Sequence, residues 1–290
     1  MAAMANVNGT ISGEREAVIS IFDHGFLYGE GIYETMRTYN GRLFLFDRHM
    51  RRLRNSARLI ELAVPFTNEE LLRQISATIV ATKLNGKEAY VRVLITRGVG
   101  ELTYDPKATP KPSWVIIVKP LVEPLAEIYE RGCKVVLVDV VRNHPKSVNP
   151  MIKSNNLMNQ ASAAQQAFKV GAFDAVMRNY RDELTECTTS NLFIVRDDTV
   201  LTPPIESGLL PGITRELLFE VGRNASIEVR EQGLRDDELF DADEAFLTST
   251  TREVVPIVAV DEQAIGNGKP GAVTRRLLTT FRDFARRQAD

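Results

Sequence analysis

Three stretches between Met151 and Arg215 carry residue types that could do chemistry together. Lys153, in Met151-Ile152-Lys153-Ser154-Asn155-Asn156, has few other charges around it and offers an amine that can attack an aldehyde. Glu186, in Thr185-Glu186-Cys187-Thr188-Thr189-Ser190-Asn191, offers a carboxylate. Placed beside a pyridine nitrogen, a carboxylate keeps that nitrogen protonated, and the ring then accepts electrons from a substrate carbanion. The third stretch is Leu209-Leu210-Pro211-Gly212-Ile213-Thr214-Arg215. Its Pro-Gly turn opens a helix at Ile213. The first N–H groups of a helix lack internal partners and carry partial positive charge, so a phosphate is well placed there, and the Thr214 hydroxyl adds a donor. An amine, a carboxylate and an anion-binding turn are what a protein needs to hold pyridoxal phosphate. Taken singly, each has a plainer reading: a surface lysine, a surface or capping glutamate, an ordinary helix start.

These stretches need elements to hold them. Apolar runs predict strands over 18–22, 33–39, 42–46, 89–96 and 114–119, with Asp23-His24-Gly25 a turn. Asn40-Gly41 between two of these runs signals a hairpin. Met50, Leu53, Ala57 and Ile60 recur at helical spacing after Asp47, which is placed to cap, and a second helix is expected over 68–84. Further along, strands are expected over 134–141, 175–178, 192–196, 199–202, 226–230, 244–248 and 254–260. Helices are expected around Leu157 to Phe168, from Ile213, and from Gly271 onward. The pattern is α+β. We expect a small domain over 1–120, a connection over 121–132 in a stretch, Pro120 to Gly132, that bears two prolines and three glutamates, and a larger domain over 133–290.

The totals exclude several function classes. With 44% hydrophobic and 26% charged residues and a net charge of −2, the chain has no electrostatic case for nucleic acid or an acidic membrane. The two cysteines, Cys133 and Cys187, form no CxxC and no disulfide framework. The three histidines lack metal spacing, and Arg97-Gly98-Val99-Gly100 is not a dinucleotide fingerprint. No signal peptide and no apolar run long enough to span a membrane is found, so a cytoplasmic setting is the expectation.

The order IKSNN, TExxxSNLF, LLPGITR resembles the fold-type IV pyridoxal-phosphate enzymes, and the resemblance covers nearly the whole chain. YGEGIYETMRTYNG, HMRRL and FLTSTTREVVPI match as well. The family includes branched-chain aminotransferases, D-amino acid aminotransferases and aminodeoxychorismate lyases. The resemblance implies a small α/β domain, a larger pseudo-barrel domain and a homodimer or higher homo-oligomer. The cofactor it implies is pyridoxal 5′-phosphate, joined to Lys153 as a Schiff base; Lys153 would then shuttle a proton. It also implies that Glu186 pairs with the pyridine nitrogen and Leu210 packs on the ring. Ile213, Thr214 and Arg52 would bind the phosphate, with Thr250 and Thr251 near the phosphate and the substrate carboxylate. Composition does not choose among Arg48, Arg51, Arg52 and Arg54; only the motif singles out Arg52.

Tyr28, Tyr33, Arg37, Tyr90 and Arg92 resemble the set with which branched-chain aminotransferases accept both an apolar side chain and the glutamate carboxylate. Arginine suits the second task because its guanidinium pairs with a carboxylate as a fork. The expected reaction is transamination of leucine, isoleucine or valine with 2-oxoglutarate. YETM in place of FEGI or FEGL, Ser249-Thr250-Thr251 in place of Gly-Thr-Ala, and Met158 in place of a tyrosine keep D-amino acids and (R)-amines open as substrates; an aminodeoxychorismate lyase, which keeps the same cofactor cradle, is a separate alternative, against which Tyr90, Arg92 and LLPGITR favour transamination.

Overall fold

A computed structural model describes residues 3–289. The chain divides into two compact units, the first reaching Val122 and including Ile152–Asn156, the second formed by Glu123–Met151 and Leu157–Gln288.

Unit 1 contains β1 (Met4–Val7), β2 (Thr10–Gly13), α1 (His24–Leu27), β3 (Gly31–Tyr39), β4 (Arg42–Leu43), α2 (Phe46–Leu59), α3 (Asn68–Thr82), β5 (Ala89–Thr96) and β6 (Ser113–Pro120). Its sheet runs β2-β1-β6-β5-β3-β4. Alternation sets the two faces. Ile32, Met36, Val91, Val93 and Ile95 are buried against Met50, Leu53 and Ala57 of α2 and Leu71 and Ile75 of α3. Tyr33, Thr35 and Arg37 project to the other face, where the antiparallel register sets Thr35 opposite Arg92 and Arg37 opposite Tyr90. The Asn40-Gly41 hairpin forms, pairing Thr38 with Leu43 and Tyr39 with Arg42, but β4 ends at Leu43, short of the expected 46. The chain then turns through Leu45 in the left-handed region and enters α2 at Phe46. Asp47 therefore lies in the first turn rather than capping, where its charge still favours the helix N-terminus. α3 starts with a capping box between Thr67 and Glu70. The apolar run 18–22 makes no strand, because no neighbouring strand pairs with it, and Asp23 caps the short α1 instead of opening a plain turn.

The segment Ile152–Asn156, assigned from sequence to the larger domain, packs with unit 1. It lies along the start of β3: the Tyr33 N–H donates to Lys153 O at 2.9 Å, and the Asn155 N–H donates to Gly31 O at 2.9 Å. Gly31 permits this approach, since a Cβ there would meet Asn155 Nδ2 at 2.5 Å and Ile95 O at 2.8 Å.

Unit 2 contains α4 (Ala126–Arg131), β7 (Cys133–Leu137), α5 (Met158–Lys169), β8 (Asp174–Arg178), β9 (Leu184–Cys187), β10 (Asn191–Arg196), β11 (Thr199–Thr202), α6 (Ile213–Asn224), β12 (Val229–Glu231), α7 (Asp236–Phe240), β13 (Glu244–Ser249), β14 (Glu253–Val260), β15 (Gln263–Ala264) and α8 (Ala272–Ala289). The stretch read as a connection thus carries α4 and belongs to unit 2. The sheet runs β12-β11-β10-β13-β14-β7-β8-β9, β15 pairs with β14, and β9 also pairs with β10. Val135, Val176, Leu192, Ile194, Leu247 and Val255 build its core. No helix among the described residues is long and apolar enough to cross a membrane.

Candidate active site

In unit 1 the backbone aims Lys153. Its carbonyl is held by Tyr33, and its N–H donates to Ser56 Oγ at 3.1 Å from α2. The Lys153 Nζ lies 4.4 Å from the centre of the Tyr33 ring, and the Arg92 guanidinium lies 4.0 Å from the same centre. An amine and a fork-shaped cation therefore share one aromatic ring. Arg37 is buried opposite Tyr90, with its guanidinium 4.0 Å from the Tyr39 ring. The Tyr90 ring carries Lys119 Nζ at 5.0 Å. Tyr28 ends α1, with its ring edge-on to His24 at 4.9 Å and 5.1 Å from Tyr104.

His49, Arg52 and Ser56 follow one another at helical spacing on α2, and all are buried. Across from them stands Glu34, a carboxylate in the buried series of β3. Arg52 grips it with Nε to Oε1 at 2.7 Å and Nη2 to Oε2 at 2.8 Å, and His49 Nδ1 meets Oε2 at 2.7 Å. His49 Nε2 is buried with no hydrogen-bond partner. Burial alone would raise the Glu34 pKa, but the adjacent Arg52 and, after it, His49 together outweigh it and hold the carboxyl far below its ordinary 4.5. Burial also pulls His49 below its ordinary 6.5, more strongly than Glu34 pushes it up, so the imidazole is neutral.

Both shifts act in one direction on stability. As pH falls through 6.5 and then 4.5, the unfolded chain protonates His49 and Glu34 while the folded chain does not. The unfolded state then binds more protons, so stability is lost toward acid. We expect the urea midpoint to fall from pH 7 to pH 5.5 and more steeply toward pH 4. A His49→Gln variant should flatten the first part of that fall. A midpoint constant over this range would contradict the assignment.

In unit 2 Glu186 is buried on β9 and held from three sides. Arg142 Nε donates to Oε1 at 2.8 Å, the Leu210 N–H donates to Oε2 at 3.1 Å, and Asn191 Nδ2 donates to Oε2 at 3.3 Å. Asn191 Nδ2 also donates to Leu210 O at 3.0 Å, so one amide joins the carboxylate to the turn. Gly212 allows this, since a Cβ there would come within 1.9 Å of Asn191 Oδ1. No side chain caps α6, whose first residues, Ile213 and Thr214, are buried. Thr250 and Thr251 form the turn between β13 and β14, closed by the Arg252 N–H donating to Ser249 O at 3.3 Å. Thr248 Oγ1 and Ser249 Oγ beside them are buried without hydrogen-bond partners.

The structure thus brings Lys153, Tyr33 and Arg92 together in unit 1, and Glu186 and Leu210 together in unit 2. Glu34, His49, Ser56, Arg142 and Asn191 were missed by sequence reasoning. Glu34 had a signal, a charge at a position where strand alternation calls for an apolar residue between Ile32 and Met36. Arg142 had none, because its partner lies 44 residues away.

The model of the family described as Amino-transferase class IV matches residues 31–260. The chain is 36% identical over 278 residues to a "Putative branched-chain-amino-acid aminotransferase" of Methanocaldococcus jannaschii, covering 96% of this chain and 95% of that one. It is 32% identical over 277 residues to the D-alanine aminotransferase of Bacillus licheniformis, covering 95% of each. Among solved structures it superposes on the Escherichia coli branched-chain amino acid aminotransferase with a TM-score of 0.93 at 28% identity, covering 100% of this chain and 97% of that one. The branched-chain aminotransferase of Thermobaculum terrenum in its PLP-form superposes with a TM-score of 0.87 at 27% identity, covering 99% and 94%. Class IV aminotransferases use pyridoxal 5′-phosphate. The fold is that of the fold-type IV enzymes, and the chain belongs to the class IV aminotransferases.

Proposed function

We propose that the chain transaminates branched-chain L-amino acids, with 2-oxoglutarate as acceptor and Lys153 as the catalytic residue. The observation that carries this reading is the Tyr33 ring, with Lys153 Nζ at 4.4 Å and the Arg92 guanidinium at 4.0 Å. An aromatic surface beside a guanidinium suits an apolar side chain in one half-reaction and the distal carboxylate of glutamate in the other.

The residues fit pyridoxal phosphate. The uncapped start of α6 leaves helix N–H groups at Ile213 and Thr214 for a phosphate. The Thr214 hydroxyl would add a donor at this helix start, and the motif resemblance gives Arg52 the role of a phosphate ligand. The unpartnered Ser249 hydroxyl lies next to Thr250. Glu186 presents a carboxylate suited to a protonated ring nitrogen, and Leu210 an apolar surface for the ring. When bound, the cofactor supplies an aldehyde for the amine and a ring that accepts electrons from the substrate α-carbon. Lys153 Nζ would take the proton from that carbon and pass it to the cofactor carbon that had been the aldehyde, and the second half-reaction would run the transfer in reverse. Glu186 holds the proton on the ring nitrogen, and Arg142 holds Glu186 in place. Tyr28, Tyr33, Arg37, Tyr90 and Arg92 receive the side chain, and Thr250 and Thr251 orient the substrate carboxylate.

Val18, Ile21, Phe22, Phe26, Leu102 and Tyr104 are exposed in unit 1 and support self-association as a homodimer, which sedimentation would measure. The Ser249-Thr250-Thr251 sequence and the likeness to D-alanine aminotransferases favour a second reading, a D-amino acid transaminase. Assays pairing L-leucine or D-alanine with 2-oxoglutarate separate the two. Glutamate formed faster from L-leucine supports the first reading; glutamate formed only from D-alanine overturns it.

A further inference from the structure

Asp174 opens β8, is 3% exposed, and touches none of the residues assigned above to cofactor or substrate. Its carboxylate nevertheless collects donors from two turns, one that follows such a residue and one that contains two of them. Oδ1 accepts the Thr188 N–H at 3.1 Å and the Thr188 hydroxyl at 2.5 Å. Oδ2 accepts the Ser190 hydroxyl at 2.9 Å and Arg252 Nη1 at 3.1 Å. The first turn, closed by the Cys187 N–H donating to Ser190 O at 2.8 Å, lies between Glu186 and Asn191. The second is the turn of Thr250 and Thr251 itself, with Arg252 its last residue. Arg252 is steadied over the Phe173 ring at 4.9 Å, beside Asp174 in sequence. β9 and β13, the strands that lead into these turns, both pair with β10.

We infer that Asp174 is a positioning residue for the reaction: its carboxylate sets the turn after Glu186 and the turn of Thr250 and Thr251 in fixed relation within unit 2. This rests on the function proposed above. The pair is only part-buried, since Arg252 is 30% exposed, so it is a weak source of net stability, whereas its directional bonds fix geometry. Arg252, at 3.1 Å, supplies the positive charge, and Thr188 and Ser190 supply the neutral donors. If Asp174 loses its charge, Thr188 and Ser190 are released on the Glu186 side and Arg252 on the Thr250 side. Cofactor and substrate binding should then weaken together.

The test uses the full chain, stripped of cofactor and titrated with pyridoxal 5′-phosphate. Asp174→Asn should raise the dissociation constant about tenfold, equivalent to about 1.4 kcal/mol, and raise KM for L-leucine more than it lowers kcat. Ser190→Ala and Arg252→Met should each weaken cofactor binding in the wild-type background but change it less than about twofold in the Asp174→Asn background. If Asp174→Asn does not fold, the Ser190→Ala/Arg252→Met pair decides: a combined effect well below the product of the single effects supports the shared hub, and a simple product overturns it. A lower thermal midpoint with unchanged dissociation constant and KM would also overturn the inference, because it would make Asp174 purely structural. A wild-type protein that neither binds the cofactor nor transaminates any donor would overturn both this inference and the proposed function. Silence of Asp174→Asn in an active wild type overturns the inference alone.

Discussion

Replacing Lys153 with alanine is expected to lower the transamination rate about a thousandfold or more, because it removes the amine, held over Tyr33, that is proposed to move the α-proton. The fold should survive. Lys153 is anchored by its backbone, through Tyr33 N–H and Ser56 Oγ, and alanine keeps both bonds. The thermal midpoint should therefore stay close to that of the wild type. Added methylamine should restore part of the rate by supplying the missing base. A Lys153→Ala protein with undiminished turnover would remove Lys153 from the chemistry.

The second large effect concerns Arg142. It and Glu186 are buried and ion-paired at 2.8 Å. Arg142→Met leaves a buried carboxylate without its cation, a change that costs about 3–5 kcal/mol. The Asn191 amide and the Leu210 N–H remain on that carboxylate and place the cost toward the lower end. Adding Glu186→Gln to Arg142→Met removes the stranded charge and should recover most of the stability. It should not recover activity, since the group proposed to hold the ring-nitrogen proton is then gone. Urea denaturation and steady-state rates on the single and double variants separate the two roles. Equal rates in the double variant and the wild type would contradict the role given to Glu186.

How much of this was legible in the sequence depended on distance along the chain. The Asn40-Gly41 hairpin, the strand 199–202 and the helix opening at Ile213 are local devices, and each formed where its residues called for it. Lys153 was legible as a residue but not in its setting. Its segment pairs with β3, more than a hundred residues upstream, and no local pattern announces that pairing. Arg142 and Asp174 were invisible for the same reason, since Asp174 meets Arg252 across 78 residues. The run 18–22 shows the converse: apolar residues in sequence make no strand without a neighbour to pair with. Glu34 was readable in principle, as a carboxylate at an apolar register position, and it organises His49 and Arg52.

The central claim is that Lys153 holds the cofactor covalently. The direct test is to incubate the protein with pyridoxal 5′-phosphate, reduce it with sodium borohydride, digest it and locate the added mass. Borohydride fixes a carbon–nitrogen double bond as a stable amine, so the tag marks the lysine that was joined. The account predicts one tag per chain, on the peptide containing Met151-Ile152-Lys153-Ser154, and its loss in Lys153→Ala. A tag spread over surface lysines, or settled on another single lysine, would contradict it.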